Sequence, residues 1–292
     1  MALYAFDGTW NSEKDAGKYD RNTNVVRFKD QYAGARFFYQ GVGTRHGAVG
    51  KFFGGAFGVG GKERVEIACR DVARQFAAGD RDIDVIGFSR GAALAAHFAN
   101  VIAEDGVKVD GVKERPGVRF LGVFDLVAAF GIPINLGFNF NRVNLGYKLG
   151  LSPCVKHCYH ALALDEARQA FRPTRLRGKN SLEVWFRGVH SDVGGGNDNH
   201  ALNDISLRWM LHKAIATGLP MTADCVGTSC KRIDVNGKVS ENFDKILSRP
   251  REPKLEDSFH YTVAARTGYV NPPDPCTRET ELLESQARPV LL

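Results

Sequence analysis

Short apolar runs of strand length recur along the chain, each closed by small or polar residues and several followed by stretches of helical periodicity. Residues 3–6 close at Asp7, Gly8 and Thr9, and 37–42 close at Gly43 and Thr44. Val65, Ala68, Val72 and Phe76 then recur at three- and four-residue spacing, which predicts one buried face of an amphipathic helix. The run 82–88 predicts a strand and the Ala-rich stretch 92–103 a helix. Residues 118–124 predict a strand that stops at Asp125, 182–189 a strand that stops at His190, and 204–217 a further helix. Alternating strands and helices predict an α/β architecture: a mostly parallel sheet with helices on both faces.

No internal repeat or low-complexity tract divides the chain, so 1–292 is read as a single domain. Two stretches interrupt the alternation. Residues 47–61 are rich in Gly and Phe (Phe52, Phe53, Phe57), and 128–153 are apolar and poor in charge, with Ile132, Ile134, Leu136, Phe138 and Phe140 alternating. They read either as a loop and an extra packed element or as a lid and lipid-facing surface. From about 249 the chain is rich in proline and charge, and is expected to wrap the domain irregularly without adding a core.

Composition narrows the class. With 43% hydrophobic and 25% charged residues, the chain can bury a sizeable core. No apolar run reaches the roughly 18 residues of a membrane span, and the first seven residues lack the charged and apolar regions of a signal peptide. The expectation is a cytoplasmic protein in the cell that makes it. The 39 Lys and Arg against 33 Asp and Glu leave a net charge of +6, but without a basic block or a zinc-finger or RNA-binding signature, so nucleic acid is not an expected partner. Six cysteines are too sparse for a disulfide scaffold. Cys154, His157, Cys158 and His160 are of metal-ligand type, but a second well-spaced pair is missing. A zinc-dependent hydrolase rests on that cluster alone; neither metal nor cofactor is expected.

The chemistry concentrates at Gly87-Phe88-Ser89-Arg90-Gly91, a G-x-S-x-G motif between an apolar strand and an Ala-rich helix. Strand, sharp turn and helix in that order make a nucleophile elbow and point to an α/β-hydrolase with Ser89 as nucleophile, Gly87 and Gly91 permitting the tight turn. A serine hydroxyl needs a base, and the base an orienting acid; in this fold they follow in the order Ser, acid, His, at the carboxyl ends of strands. Asp125 and His190 occupy such ends. Asp192, close to the histidine in His190-Ser191-Asp192-Val193-Gly194-Gly195-Gly196, reads as a rival acid or as a residue that pins the glycine loop through its side chain. The oxyanion hole would draw on the N–H of Arg90 and on that of Thr9 after the first strand, with Gly8 allowing close approach and Asp7 bracing the turn; Asp7 reads equally as a metal or structural ligand.

Taken in order, several segments resemble the type VI secretion phospholipase effectors of the first lipase class. They are Asp7-Gly8-Thr9-Trp10-Asn11, Asn22-Thr23-Asn24-Val25, Tyr39-Gln40-Gly41-Val42-Gly43-Thr44, Gly87 to Ala92, Gly122-Val123-Phe124-Asp125, His160 to Glu166, Trp185 to Gly196 and Asn203 to Met210. The resemblance implies a phospholipase that acts on membranes of rival bacteria and carries the triad onto Ser89, Asp125 and His190. It also implies a secretion apparatus and an immunity protein as partners, with delivery into the target-cell periplasm. At Leu126 the chain departs from the threonine expected after the acid. Two other readings stay open: an esterase for small soluble esters, and an inactive hydrolase fold that serves as a binding module.

Overall fold

The alternation of the first strand already sets the architecture. In β1 (Ala2–Phe6), Ala2, Tyr4 and Phe6 enter one apolar cluster while Leu3 and Ala5 enter another, because successive side chains leave a strand on opposite faces. β3 (Ile83–Phe88) divides the same way, as does β6 (Val118–Phe124), which sends Leu121 and Val123 to one cluster and Phe120 and Phe124 to the other. Strands buried on both faces need a helical layer on each side.

The computed structural model describes residues 1–8, 21–41, 55–128, 147–241, 248–266 and 277–279. One helical layer is α2 (Gly55–Ala77) and α3 (Ser89–Glu104); the other is α1 (Asn24–Asp30) and α5 (His200–Ala216). Between them lie β2 (Ala35–Tyr39), β7 (Val155–Ala163), β8 (Ser181–Phe186), β9 (Ser258–His260) and β10 (Thr277–Glu279), with the three strands already named. They form one eight-stranded sheet in the order β10-β9-β8-β7-β6-β3-β1-β2, with parallel pairing throughout. A small antiparallel pair, β4 (Val107–Val109) and β5 (Val112–Glu114), and the short helices α4 (His190–Gly194), α6 (Cys225–Ser229) and α7 (Tyr261–Ala265) flank this framework. The strand order reverses between β1 and β3, and ligands of open α/β sheets bind outside the strand ends at such a switch point. The elbow serine follows β3 directly.

The fold class is the expected one, and Val65, Ala68, Val72 and Phe76 are all buried in one cluster. Four expectations change. β7 lies between the strands that precede Asp125 and His190; its pattern escapes notice because Lys156 and His157 are both exposed and break the apolar alternation. β8 ends at Phe186, so His190 opens α4 after a turn instead of ending a strand. Helix α2 starts at Gly55 and takes in part of the Gly- and Phe-rich stretch, and a Cβ at Gly61 would crowd Leu94 of α3 and Tyr147. The segment after 249 adds β9 and a satellite core in which Phe259 and Val263 pack on Leu162, Leu164 and Trp185. Phe52, Phe53 and most of 128–153, including Phe138 and Phe140, lie outside the described residues. No helix among the described residues is long and apolar enough to cross a membrane.

Candidate active site

Ser89 stands at the junction of β3 and α3 with φ 57°, a conformation that costs a non-glycine residue of order 1–3 kcal/mol and persists only when its surroundings enforce it. Phe88 before it is extended, at φ −132° and ψ 139°. The turn is tight enough that a Cβ at Gly87 would lie 2.7 Å from Ala92 Cα, and Gly91 abuts the backbone at the end of β1. Both flanking glycines of the motif are therefore demanded by space. At the end of β1, Asp7 Oδ1 accepts from the Gly8 N–H at 2.8 Å and from the Thr23 hydroxyl at 2.9 Å, and Thr23 caps α1. Thr9 lies outside the described residues. Burial lowers the Arg90 guanidinium to about 10, which leaves it a cation at neutral pH.

Asp125 follows β6, which pairs with β3 so that Phe124 lies opposite Phe88. It too has a left-handed backbone, at φ 41°. Two bonds tie this bend to its neighbours: its N–H donates to Ala161 O at 2.7 Å, and the Val127 N–H donates to Ser89 O at 3.3 Å. The carboxylate is fully buried and saturated. Oδ1 accepts from the Ala163 N–H at 3.0 Å and from Arg251 Nη1 at 2.6 Å; Oδ2 accepts from Arg251 Nη2 at 3.0 Å and from His190 Nδ1 at 2.6 Å. Burial alone would raise this carboxyl, but the Arg251 charge and the His190 hydrogen bond outweigh it and hold it far below the usual carboxylate range. An ionised Asp125 on Nδ1 fixes the tautomer of His190, leaving Nε2 with a lone pair.

His190 is buried and wedged between two rings, Phe88 at 4.6 Å and Phe171 at 4.8 Å between centroids. Burial pulls its pKa below 6.5, against the Asp125 hydrogen bond and charge, which raise it; the Arg251 charge lowers it further. Its backbone N–H donates to Glu166 Oε2 at 3.2 Å. Asp192 engages its carboxylate with the glycine loop. It accepts from the Val189 and Ser240 N–H groups, from the Asn197 and Asn199 amides and from the Ser240 hydroxyl, at 2.6–3.0 Å. The fold thus brings Ser89, Asp125 and His190 to one end of the sheet, with Asp125 on the imidazole.

With that geometry in view, the model of the type VI secretion phospholipase effector family, Tle1-like, catalytic domain, matches residues 3–114 and 107–213. The chain belongs to that family. Among solved structures, one similar to it is the Tle1 effector bound to the VgrG spike of the type 6 secretion system, 24% identical over 66% of this chain and 50% of that one, TM-score 0.48. An uncharacterized protein from Pseudomonas aeruginosa is 20% identical over 80% of this chain and 49% of that one, with a TM-score of 0.53, and shares the fold. Carboxyl esterase 2 from the mycorrhizal fungus Tuber melanosporum is 12% identical over 73% of this chain and 77% of that one, TM-score 0.44. The chain spans about half the length of the first two of these structures. No curated protein matches it.

Sequence reasoning missed several parts of this Tle1-like site. Phe171, on a 3₁₀ turn (Gln169–Phe171), walls the imidazole, with the Arg168 guanidinium 3.7 Å from its ring centroid. His160, weighed in sequence as a metal ligand, accepts the Leu126 N–H at Nε2 (3.1 Å) and meets Glu183 Oε1 through Nδ1 at 2.9 Å. Arg175 joins Glu183 to Asp257, which extends this buried chain of charges. Arg251, in the segment expected to carry no core, is the largest omission. No local signal marks it, since its partner lies 126 residues earlier in the chain.

Proposed function

We propose that the chain is a serine-dependent phospholipase that cleaves carboxylic esters of membrane phospholipids through an acyl-enzyme on Ser89. The observation that carries this reading is the 2.6 Å bond that His190 Nδ1 donates to Asp125, with a left-handed Ser89 at the sheet's switch point. In this mechanism His190 Nε2 takes the Ser89 proton as Oγ attacks the ester carbonyl carbon, and Asp125 holds the imidazole and stabilises its cation. The Arg90 N–H, with the N–H of Thr9 as its partner, stabilises the tetrahedral oxyanion. Collapse expels the lysophospholipid alcohol, which receives the proton from His190. Water, activated by the same imidazole, then attacks the acyl-serine, releases the fatty acid and returns the proton to Ser89.

Family membership supports a phospholipid substrate and delivery by the type VI apparatus, with the spike protein VgrG as the docking partner that the Tle1 effector has. Membership is also the ground for an antibacterial role and an immunity partner. The test is release of fatty acid from defined phospholipid vesicles by the wild type and by Ser89→Ala. Loss of release in the variant is the expected result. Equal release by both would overturn the reading, and cleavage confined to short soluble esters would replace the phospholipase by an esterase.

A further inference from the structure

Arg251 is 6% exposed and more than 120 residues from its partner in sequence, yet its guanidinium meets both oxygens of the Asp125 carboxylate, in bonds of 2.6 and 3.0 Å. The same two nitrogens reach further. Nη1 donates to Ala163 O at 2.6 Å, at the end of β7, and Nη2 donates to Phe171 O. Phe171 is the residue whose ring packs on His190. One side chain therefore binds the acid, the strand that orients the acid and the wall of the base. Such a two-pronged clamp suits arginine alone, because a lysine ammonium is a point charge without the planar fork.

We propose that Arg251 is a positioning residue of the Ser89 site, which clamps Asp125 against His190 and ties the pair to the Phe171 wall. The kinetic part of this proposal rests on the hydrolase reading above. A purely structural arginine would hold the segment after 249 in place without altering how His190 titrates. Arg251 differs because its charge is buried directly against Asp125, where solvent screens it little. Around the pair, Glu166 accepts the His190 N–H, and Arg168 is bonded to Glu166 and stacked on Phe171. Asp192, on α4 itself, is occupied by the glycine loop, His160 is engaged with the Leu126 N–H and Glu183, and Arg90 adjoins the nucleophile. Arg251 is the cation in direct contact with Asp125. Removing it strengthens the pull of the carboxylate on an imidazole proton, so His190 becomes harder to deprotonate.

The experiment compares wild type, Arg251→Met and Arg251→Lys by two readouts: the pH profile of kcat/KM on a short-chain phospholipid, and the His190 ring titration by NMR with His190→Gln for assignment. In Arg251→Met, kcat should fall by about 10- to 100-fold with KM little changed. The acid limb and the His190 titration should both move up by about one pH unit. Arg251→Lys should keep the acid limb near that of the wild type but not recover kcat. A folded Arg251→Met protein with an unmoved His190 titration would overturn the proposal. If that variant does not fold, Arg251→Lys with wild-type kcat does so. Should wild type lack Ser89-dependent hydrolysis, the enzyme reading falls while the NMR titration still judges the clamp.

Discussion

Gly91, at the start of α3, lies so close to the end of β1 that a Cβ on it would press into the carbonyl oxygens of Phe6 and Asp7. These are backbone atoms, fixed in β1 and in the turn that Thr23 braces, so they cannot yield as a flexible side chain would. This contact couples Ser89, the proposed nucleophile, to the loop expected to supply the second oxyanion donor. Gly91→Ala should therefore destabilise the protein by about 1–3 kcal/mol through overpacking. It should also slow fluorophosphonate labelling of Ser89, by moving the start of α3. Thermal unfolding and labelling rates check both. Unchanged stability would mean that α3 can shift away from β1 without cost.

Asp125 and Asp192 should separate activity from stability. Asp125→Asn leaves Nδ1 of His190 facing an amide and should lower kcat by about 10⁴-fold, as tautomer-disrupting changes do in serine triads. It also strands the buried Arg251 charge, at a cost of about 3–5 kcal/mol, so the assay belongs well below the variant's own melting point. Asp192→Asn breaks the hydrogen bonding of the glycine loop and should cost about 1–3 kcal/mol while sparing most of kcat. A crippled Asp192→Asn enzyme beside an active Asp125→Asn one would reverse the assignment of the acid.

The pH dependence follows from two depressed pKa values. Because burial holds His190 below 6.5, the neutral imidazole that accepts the Ser89 proton persists to lower pH, and the acid limb of kcat/KM should have its midpoint below 6.5. Stability has the same sign. As pH falls below 6.5 the unfolded chain binds a proton that folded His190 refuses, so stability declines from there down to the folded pKa. Asp125 adds a second loss at lower pH: its contribution is full above the usual 3.8 and disappears as pH falls towards its depressed folded value. Urea unfolding of wild type and His190→Gln at pH 7 and pH 5.5 tests the first window. The variant should lose less stability over that interval.

His160 should act on the acid from behind. Its Nε2 accepts the Leu126 N–H, and Glu183 holds its other nitrogen; burial would raise the Glu183 carboxyl, but His160, Arg175 and the Leu176 N–H bring it down to about 2. His160→Ala leaves the Leu126 N–H buried without its acceptor, at about 1–3 kcal/mol. Since Leu126 adjoins Asp125, kcat should fall about 10- to 100-fold, as for partners one shell from the reacting groups. Chemical unfolding and steady-state kinetics on the same samples check this. A stable variant with wild-type kcat would show that the bend at Asp125 needs no such support.

Sequence alone determined the parts that are local. The elbow is five residues whose extended-to-helical switch and small residue at Gly87 are set by steric contact within one turn. The parallel sheet with two helical layers was legible because β1, β3 and β6 are apolar on both faces, and a strand of that kind has no other way to bury both sides. Asp125 and His190 were legible as polar stops after apolar runs. Tertiary structure decided which carboxylate meets the imidazole. Asp192, two residues from His190, is taken up by the loop it organises, whereas Asp125, 65 residues distant, is delivered by the register of β6 beside β3 and the bend that follows. It also decided that β7 stands between the acid's strand and the strand before His190, and that Arg251 closes on Asp125 from a segment with no periodic pattern. An isolated buried charge is too costly to leave unpaired, but hydrophobic patterning does not record which partner satisfies it. Only the packing of the whole chain makes that choice.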